Sequence, residues 1–374
     1  MIGRLNLFIF IISCLCLMPG CEPQQSTVKD NPVVVNIPKQ IPPLPKLPDS
    51  VCIAAVGDIM LGTSYPDNST LPPDSALNSF KHVAQHLQTA DVAFGNLEGT
   101  LLDGGEPAHY KLHLRSQAYL FRMPVKYCGV LKNAGFDVLS LANNHIGDFA
   151  KAGRESTVNA LDRCGIHHAG LLEYPSVEFE RNGVKYGFSA FAPNSHTVSI
   201  FDMKGAAKII SDLKQRCDIV IVSFHGGGEG PDFEHVAPGD ESYFSERRGD
   251  LRAFAHNAID NGADIILGHG PHVGRAMELY KGRLVAYSLG NFCTYRGVGI
   301  EGVAGIAPLL KIYVNRQGEF LSGSIISVKQ SRERRVEPDT LHRAAKRIKW
   351  LTAVDFPDNK QLVISDEGLL TAVK

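Results

Sequence analysis

Six apolar runs in this 374-residue chain end in residues that carry protons or bind metals. CIAAVGDIM contains Asp58, DVAFGNLEG contains Asn96 and Glu98, and DVLSLANNH ends in Asn144 and His145. DIVIVSFHGG contains His225, DIILGHGPH contains His269 and His272, and LVAYSLGNF contains Asn291. Taken alone, Asn143-Asn144-His145 reads as a turn, because Asn tolerates left-handed backbone angles and bonds its own backbone. Six such endings together point instead to a functional centre. Asp, Glu, Asn and His supply hard oxygens and borderline nitrogens, a set that suits zinc, manganese or iron. The lack of Cys in the set argues against a structural zinc site. His269 and His272 stand three apart across Gly270-Pro271, a rigid turn suited to aiming both imidazoles inward.

The elements that must position these residues follow from the same runs. Each is apolar, short and bounded by polar or glycine punctuation, which predicts strands buried on both faces. Four begin with Asp (Asp91, Asp137, Asp218, Asp264), and helix-like segments precede those four. KYCGVLKNAG and AFAHNAIDNGA, for example, carry apolar residues at helical spacing and finish near a Gly suited to a helix end. Strands alternating with helices predict an α/β fold, in which ligands bind beyond the carboxyl ends of the strands. ERNGVKYGFSAFA reads as a hairpin around Asn182-Gly183, and KIYVNRQGEFLSGSIISV as another around Gln317-Gly318.

Composition is that of an ordinary globular protein, with 44% hydrophobic and 21% charged residues. A formal net charge of −1 predicts no nucleic-acid partner. Residues 1–21 read as a targeting segment: one Arg, an apolar run too short to span comfortably, then Pro19-Gly20-Cys21. That ending resembles a bacterial lipoprotein signal, with lipid attached at Cys21; an ordinary secretory signal or an uncleaved anchor are the alternatives. All three place the domain outside the cytoplasm, with the lipid form held on the cell membrane. Residues 22–50 hold seven prolines and read as a tether. Of the eight cysteines, Cys52, Cys128, Cys164, Cys217 and Cys293 fall in the folded part, at spacings that define no zinc knuckle and no particular disulfide. Residues 331–374, with basic LHRAAKRIKWL, read as a packing helix.

GDIMLG, GNLEGTL, FRMP, GFDVLSLANNHIGDF, the His225 segment, GHGPHV and YSLGNF, in this order over residues 51–330, resemble the CapA-type capsule-synthesis (poly-γ-glutamate biosynthesis) family. That family is similar to the calcineurin-like metallophosphoesterases, which implies a four-layer αββα sandwich holding one or two divalent metal ions. The metallophosphoesterases' opening Asp-x-His is met by Asp58, but Met60 stands in place of the His. Their Gly-Asp block becomes Gly95-Asn96, with Glu98 as the replacement carboxylate. The resemblance makes Asn144 a metal ligand and His145 the general acid, and it makes His225, His269 and His272 the remaining imidazole ligands. The Gly-His-x-His ending is one residue longer here, as Gly268-His269-Gly270-Pro271-His272.

Around these, Asn96, Arg122, Glu229 and Asn291 are candidates for substrate binding. Arg122 suits an anionic substrate, with a surface salt bridge as the alternative, and Glu229 reads as a supporting base or a loop charge. No phosphate-binding Gly-rich loop, dinucleotide fingerprint or serine-hydrolase elbow occurs in the sequence. Two function classes stay open. One is an extracytoplasmic metal-dependent hydrolase or transferase; the other is a non-catalytic subunit that binds an anionic polymer or its precursor beside a membrane synthase or exporter.

Overall fold

The near-continuous apolar runs form strands because both of their faces are covered. Along Val51–Met60, Val51, Ile53 and Ala55 enter one core while Cys52, Ala54 and Val56 enter another. The strand Ile219–His225 divides in the same way, Ile219 and Ile221 against Val220, Val222 and Phe224. The period of two therefore sorts side chains between two apolar layers rather than between core and water.

The computed structural model describes residues 49–112, 119–331 and 335–373. The targeting segment, Cys21 and nearly all of the tether lie outside the described residues. A ten-stranded sheet is built on the order Leu362–Ile364, Leu369–Ala372, Phe320–Gln330, Ile306–Val314, Val51–Met60, Val92–Leu97, Val138–Ser140, His167–Ala169. Asn291–Thr294 also pairs with Val51–Met60, and Val336–Pro338 with Phe320–Gln330. A six-stranded sheet runs Met277–Tyr280, Arg283–Ala286, Ile265–His269, Ile219–His225, Val184–Phe191, Ser176–Arg181.

Between the sheets lies a core that includes Ile53, Phe94, Val138, Phe188, Ile221, Ile265 and Ile312. Helices Ala84–Gln88, Tyr127–Ala134 and Ala150–Cys164 cover the outer face of the larger sheet through Leu87, Leu131 and Leu161. Met203–Lys214 and Leu251–Asp260 cover the smaller one through Ile210 and Phe254. This is the four-layer αββα sandwich. Both expected hairpins are present, with Asn182 and Gly183 at φ 55° and 71° in the first and Gly318 at φ 77° in the second.

The aspartates that open four of the runs have a shared structural task. Asp91, Asp137, Asp218 and Asp264 each donate a backbone N–H to the neighbouring strand's Cys52, Ala93, Lys185 or Val220 carbonyl. The carboxylate of each then accepts that same residue's N–H, at 2.8–3.0 Å. Every pair closes the entry to a parallel ladder, where the strand's first N–H would otherwise be unpaired.

The C-terminal segment differs from the expected helical tail. Helix Arg343–Asp355 is present and packs through Ala345, Ile348 and Leu351. Leu362–Ile364 and Leu369–Ala372, however, extend the larger sheet, the latter pairing with Phe320–Gln330. These strands cover an edge that would otherwise expose unpaired backbone groups. The five cysteines of the described residues form no disulfide, and all but Cys164 are buried. No helix among the described residues is long and apolar enough to cross a membrane.

Candidate metal centre

Strand register brings the chemistry-bearing residues into line. Within the larger sheet Asp58 sits opposite both Asn96 and Asn291, and Asn96 sits opposite Ser140 just before the Asn143-Asn144-His145 turn. In the smaller sheet His225 sits opposite His269. The strands that carry Asp58, Asn96, Ser140, His225 and His269 deliver their carboxyl ends to the same place, where hydrogen bonds join the two sheets. The expected run LVAYSLGNF instead splits into Arg283–Ala286 of the smaller sheet and Asn291–Thr294 of the larger, so that Asn291 opens its strand there.

Asp58 is the junction. Its Oδ1 lies 3.1 Å from His269 Nδ1 and its Oδ2 lies 3.0 Å from His272 Nδ1. Glu98 Oε1 lies 3.5 Å from His272 Nε2 and 3.7 Å from His225 Nε2. Ligating atoms of Asp58, Glu98 and His272 fall within 4.8 Å of one another.

Close backbone approach makes this packing possible. A Cβ on Gly270, which holds φ 116°, would stand 2.5 Å from the Gly226 carbonyl oxygen. One on Gly57 would stand 1.9 Å from that of Gly290, whose oxygen accepts from Asp58 N at 2.8 Å. His272 itself adopts φ 60°, and this left-handed step turns its imidazole back onto Asp58 despite the extra residue in the turn.

Electrostatics of the cluster favour a cation. Burial opposes ionisation of Asp58, but hydrogen bonds and charge from His269 and His272 outweigh it and hold the carboxyl well below its usual range. Burial and the neighbouring Asp58 charge push Glu98 well up. Burial also works against a charged His272, yet the Glu98 and Asp58 carboxylates prevail and lift it to about 10. His225, desolvated, is held well below its usual value and is neutral.

The donor atoms fit such an ion. Glu98 Oε1, His225 Nε2, His269 Nε2 and Asn144 Oδ1 are all buried without a hydrogen-bond partner. Unpaired polar atoms in a protein interior cost about 1–3 kcal/mol each, and these four belong to residues at the ends of the strands that bring Asp58, Glu98 and His272 together.

The other expected residues take varied places. Asn96 Nδ2 donates to Asp58 Oδ1 at 2.9 Å and Glu98 Oε2 at 3.3 Å, while its Oδ1 accepts from Asn143 at 3.2 Å. Fully buried and fully bonded, it positions the carboxylates and leaves no group for substrate. Arg122 is likewise committed elsewhere. Its guanidinium donates to Ser64 Oγ, the Ser64 carbonyl and the Gly105 carbonyl at 2.6–3.0 Å, and lies near the Tyr65 and Phe149 rings. This fixes it to loops, in neither a substrate site nor a surface salt bridge. Asn291 donates to the Gly299 and Ala304 carbonyls, with its own Oδ1 buried and unpartnered. Glu229 is ion-paired to Arg248 at 3.1 Å. Met60, where an imidazole was expected, is fully buried and its sulfur accepts from Gly62 N at 3.2 Å.

His145 has its Nδ1 held by Asp148 Oδ2 at 2.8 Å and its ring 4.1 Å from that of Phe121. Asp148 is buried, which opposes its charge, but His145 and Lys111 keep its carboxyl below the usual range. Asp148 carries no motif of its own in the sequence, whereas Asn143 belongs to the expected turn. Asn143 Oδ1 accepts from His145 N at 3.1 Å, the turn bond expected of an Asn, and Asp148 sits three residues beyond His145, within reach of its ring.

Residues 52–296 match the family model for the bacterial capsule synthesis protein PGA_cap. The "PGA biosynthesis protein CapA" of Bacillus subtilis is 30% identical over 267 residues, covering 67% of this chain and 64% of that one. The "Capsule biosynthesis protein CapA" of Bacillus anthracis is 26% identical over 272 residues, covering 67% and 61%. The match thus spans somewhat under two thirds of each relative's length. Among solved structures, a purple acid phosphatase from yellow lupin seeds shares 9% identity at a TM-score of 0.39, covering 78% of this chain and 53% of that one.

Proposed function

Since the chain belongs to the bacterial capsule synthesis protein family PGA_cap, we propose that it supports assembly of a capsular or poly-γ-glutamate-type polymer through a metal-dependent, hydrolase- or transferase-like centre. The observation that carries this reading is the cluster of Asp58, Glu98 and His272, with buried, unpartnered donors at Glu98 Oε1, Asn144 Oδ1, His225 Nε2 and His269 Nε2. Those six residues would hold zinc, manganese or iron, as one ion or two. When bound, the ion supplies Lewis acidity toward an electrophilic centre of the substrate. Asn96 fixes both carboxylates, and Asp148 fixes His145 through Nδ1, so that Nε2 is the nitrogen available to pass a proton to a leaving group. The same reading places the protein outside the cytoplasm, lipid-anchored to the membrane at Cys21, with an anionic polymer or its precursor as ligand and membrane synthase or export subunits as partners.

The buried Met60 thioether supports a second reading, in which the centre binds one ion and the protein presents the polymer without turnover. Elemental analysis of the purified protein, before and after incubation with manganese or zinc, tests the metal. Wild type should take up metal, and His225→Ala should lose most of it while keeping the fold. Wild type that holds none and takes up none sinks both forms of the proposal.

A further inference from the structure

Two buried arginines lie beside the loop that follows His225, and they are treated differently. Arg275 is fully paired: its Nε donates to the Phe233 carbonyl at 2.7 Å, and Nη1 and Nη2 reach the two Glu241 oxygens at 2.8 Å each. Arg248 has a side chain only 7% exposed, yet its Nε and Nη1 have no hydrogen-bond partner. Its ion partners are Glu229 at 3.1 Å and the exposed Glu246 at 3.5 Å, both through Nη2, and its Cζ lies 5.5 Å from the Tyr243 ring.

A guanidinium carries five donors and stays charged, so burying it with donors unmatched is costly unless an acceptor is expected there. Position supports that acceptor being at the metal centre. Arg248 lies in the strand Glu246–Gly249, and its carbonyl accepts from Gly227 N at 3.0 Å, seating it against the residues just after His225.

We infer that Arg248 anchors an oxyanion subsite, holding a carboxylate or phosphate oxygen of the ligand beside the metal centre, with Glu229 as its counter-ion. An anion is the fitting ligand, because a buried cation gains most from a charge-assisted bond. As a substrate subsite this rests on the proposed metal-dependent function; as a binding site it stands without it. Arg248 takes the task the sequence suggested for Arg122, whose donors are spent on loop carbonyls.

The test is calorimetric titration of the full purified protein, metal-loaded and chelator-treated, with two probes: inorganic phosphate and γ-glutamylglutamate. Arg248→Gln should weaken binding of at least one probe by roughly 10- to 100-fold, the weight of one hydrogen bond to a charged group, with metal content unchanged. Loss confined to phosphate assigns a phosphoryl group, loss confined to the dipeptide assigns a carboxylate, and loss of both assigns a general oxyanion site. Equal affinity in wild type and variant, or no binding of either probe by wild type in either state, overturns the inference. If Arg248→Gln does not fold, Arg248→Lys keeps the charge but not the planar fork and must still weaken binding several-fold, with equality again overturning it. Failure of metal uptake with Arg248-dependent probe binding intact would remove the metal reading alone.

Discussion

At the scale of the residue, the Asn143-Asn144-His145 segment divides into a structural and a chemical half. Asn143 makes the turn and locks Asn96, whereas Asn144 keeps a buried oxygen unpaired and His145 is steered by Asp148. If His145 passes a proton in the transition state, His145→Ala should lower turnover on a phosphodiester or on the native polymer about 100- to 10,000-fold. Metal content should stay unchanged in that variant. Asp148→Asn should give a smaller loss and alter the pH profile, because the ring loses the acceptor that fixes its tautomer. Activity unchanged in His145→Ala would move the protein to the polymer-presenting reading.

At the scale of the element, short polar devices fix where strands begin and which neighbours they take. Each aspartate closure joins two parallel strands, and each of the strands these aspartates open leads to site residues at its far end, so ladder entry and site register are linked. A related device joins the edge strand Met277–Tyr280 to its surroundings. Glu278 accepts from Tyr287 Oη at 2.6 Å and lies 2.7 Å from His256 Nε2, while Asn359 donates to it at 3.3 Å and to the Leu279 carbonyl at 2.9 Å. Burial opposes its charge, yet the bonds from His256, Tyr287 and Asn359 prevail and depress its pKa. A depressed carboxyl stabilises the fold above its unfolded pKa, and that stability is lost as pH falls through the folded value. Glu278→Gln should therefore lower Tm at neutral pH by the equivalent of roughly 1.5–3 kcal/mol. The gap to wild type should shrink below about pH 4. A gap that stays constant under acid would show that the charge of Glu278 contributes nothing.

At the scale of the whole molecule, the proposed function needs the folded body near a membrane, although no described helix could span one. In that proposal the attachment is lipid on Cys21, at the Pro19-Gly20-Cys21 ending. Cys21→Ser should abolish incorporation of labelled fatty acid and release the protein from the membrane fraction, leaving metal content unchanged. Retention in that fraction with labelling intact would remove the lipid anchor from the proposal.

The sequence by itself determined the α/β class, five of the six strands that lead to candidate ligands, both hairpins and the family. These depend on local patterns: apolar runs, turn dipeptides and polar residues at the exits of strands. Only the tertiary structure decided which polar residues meet. His272 reaches Asp58 through a left-handed backbone step that residue counting across the turn does not reveal. Asn96 and Arg122 look as ready for substrate as any other residue until Asp58, 38 positions from the first, and Ser64, 58 positions from the second, are seen to engage them. Arg248 shows no motif at all, and its burial beside Glu229 depends on packing around the His225 loop. The C-terminal strands were equally hidden, because a three- or four-residue strand has too little periodicity to be seen until an open sheet edge recruits it. Local chemistry is written in neighbouring residues, whereas saturation and burial depend on contacts between distant parts of the chain.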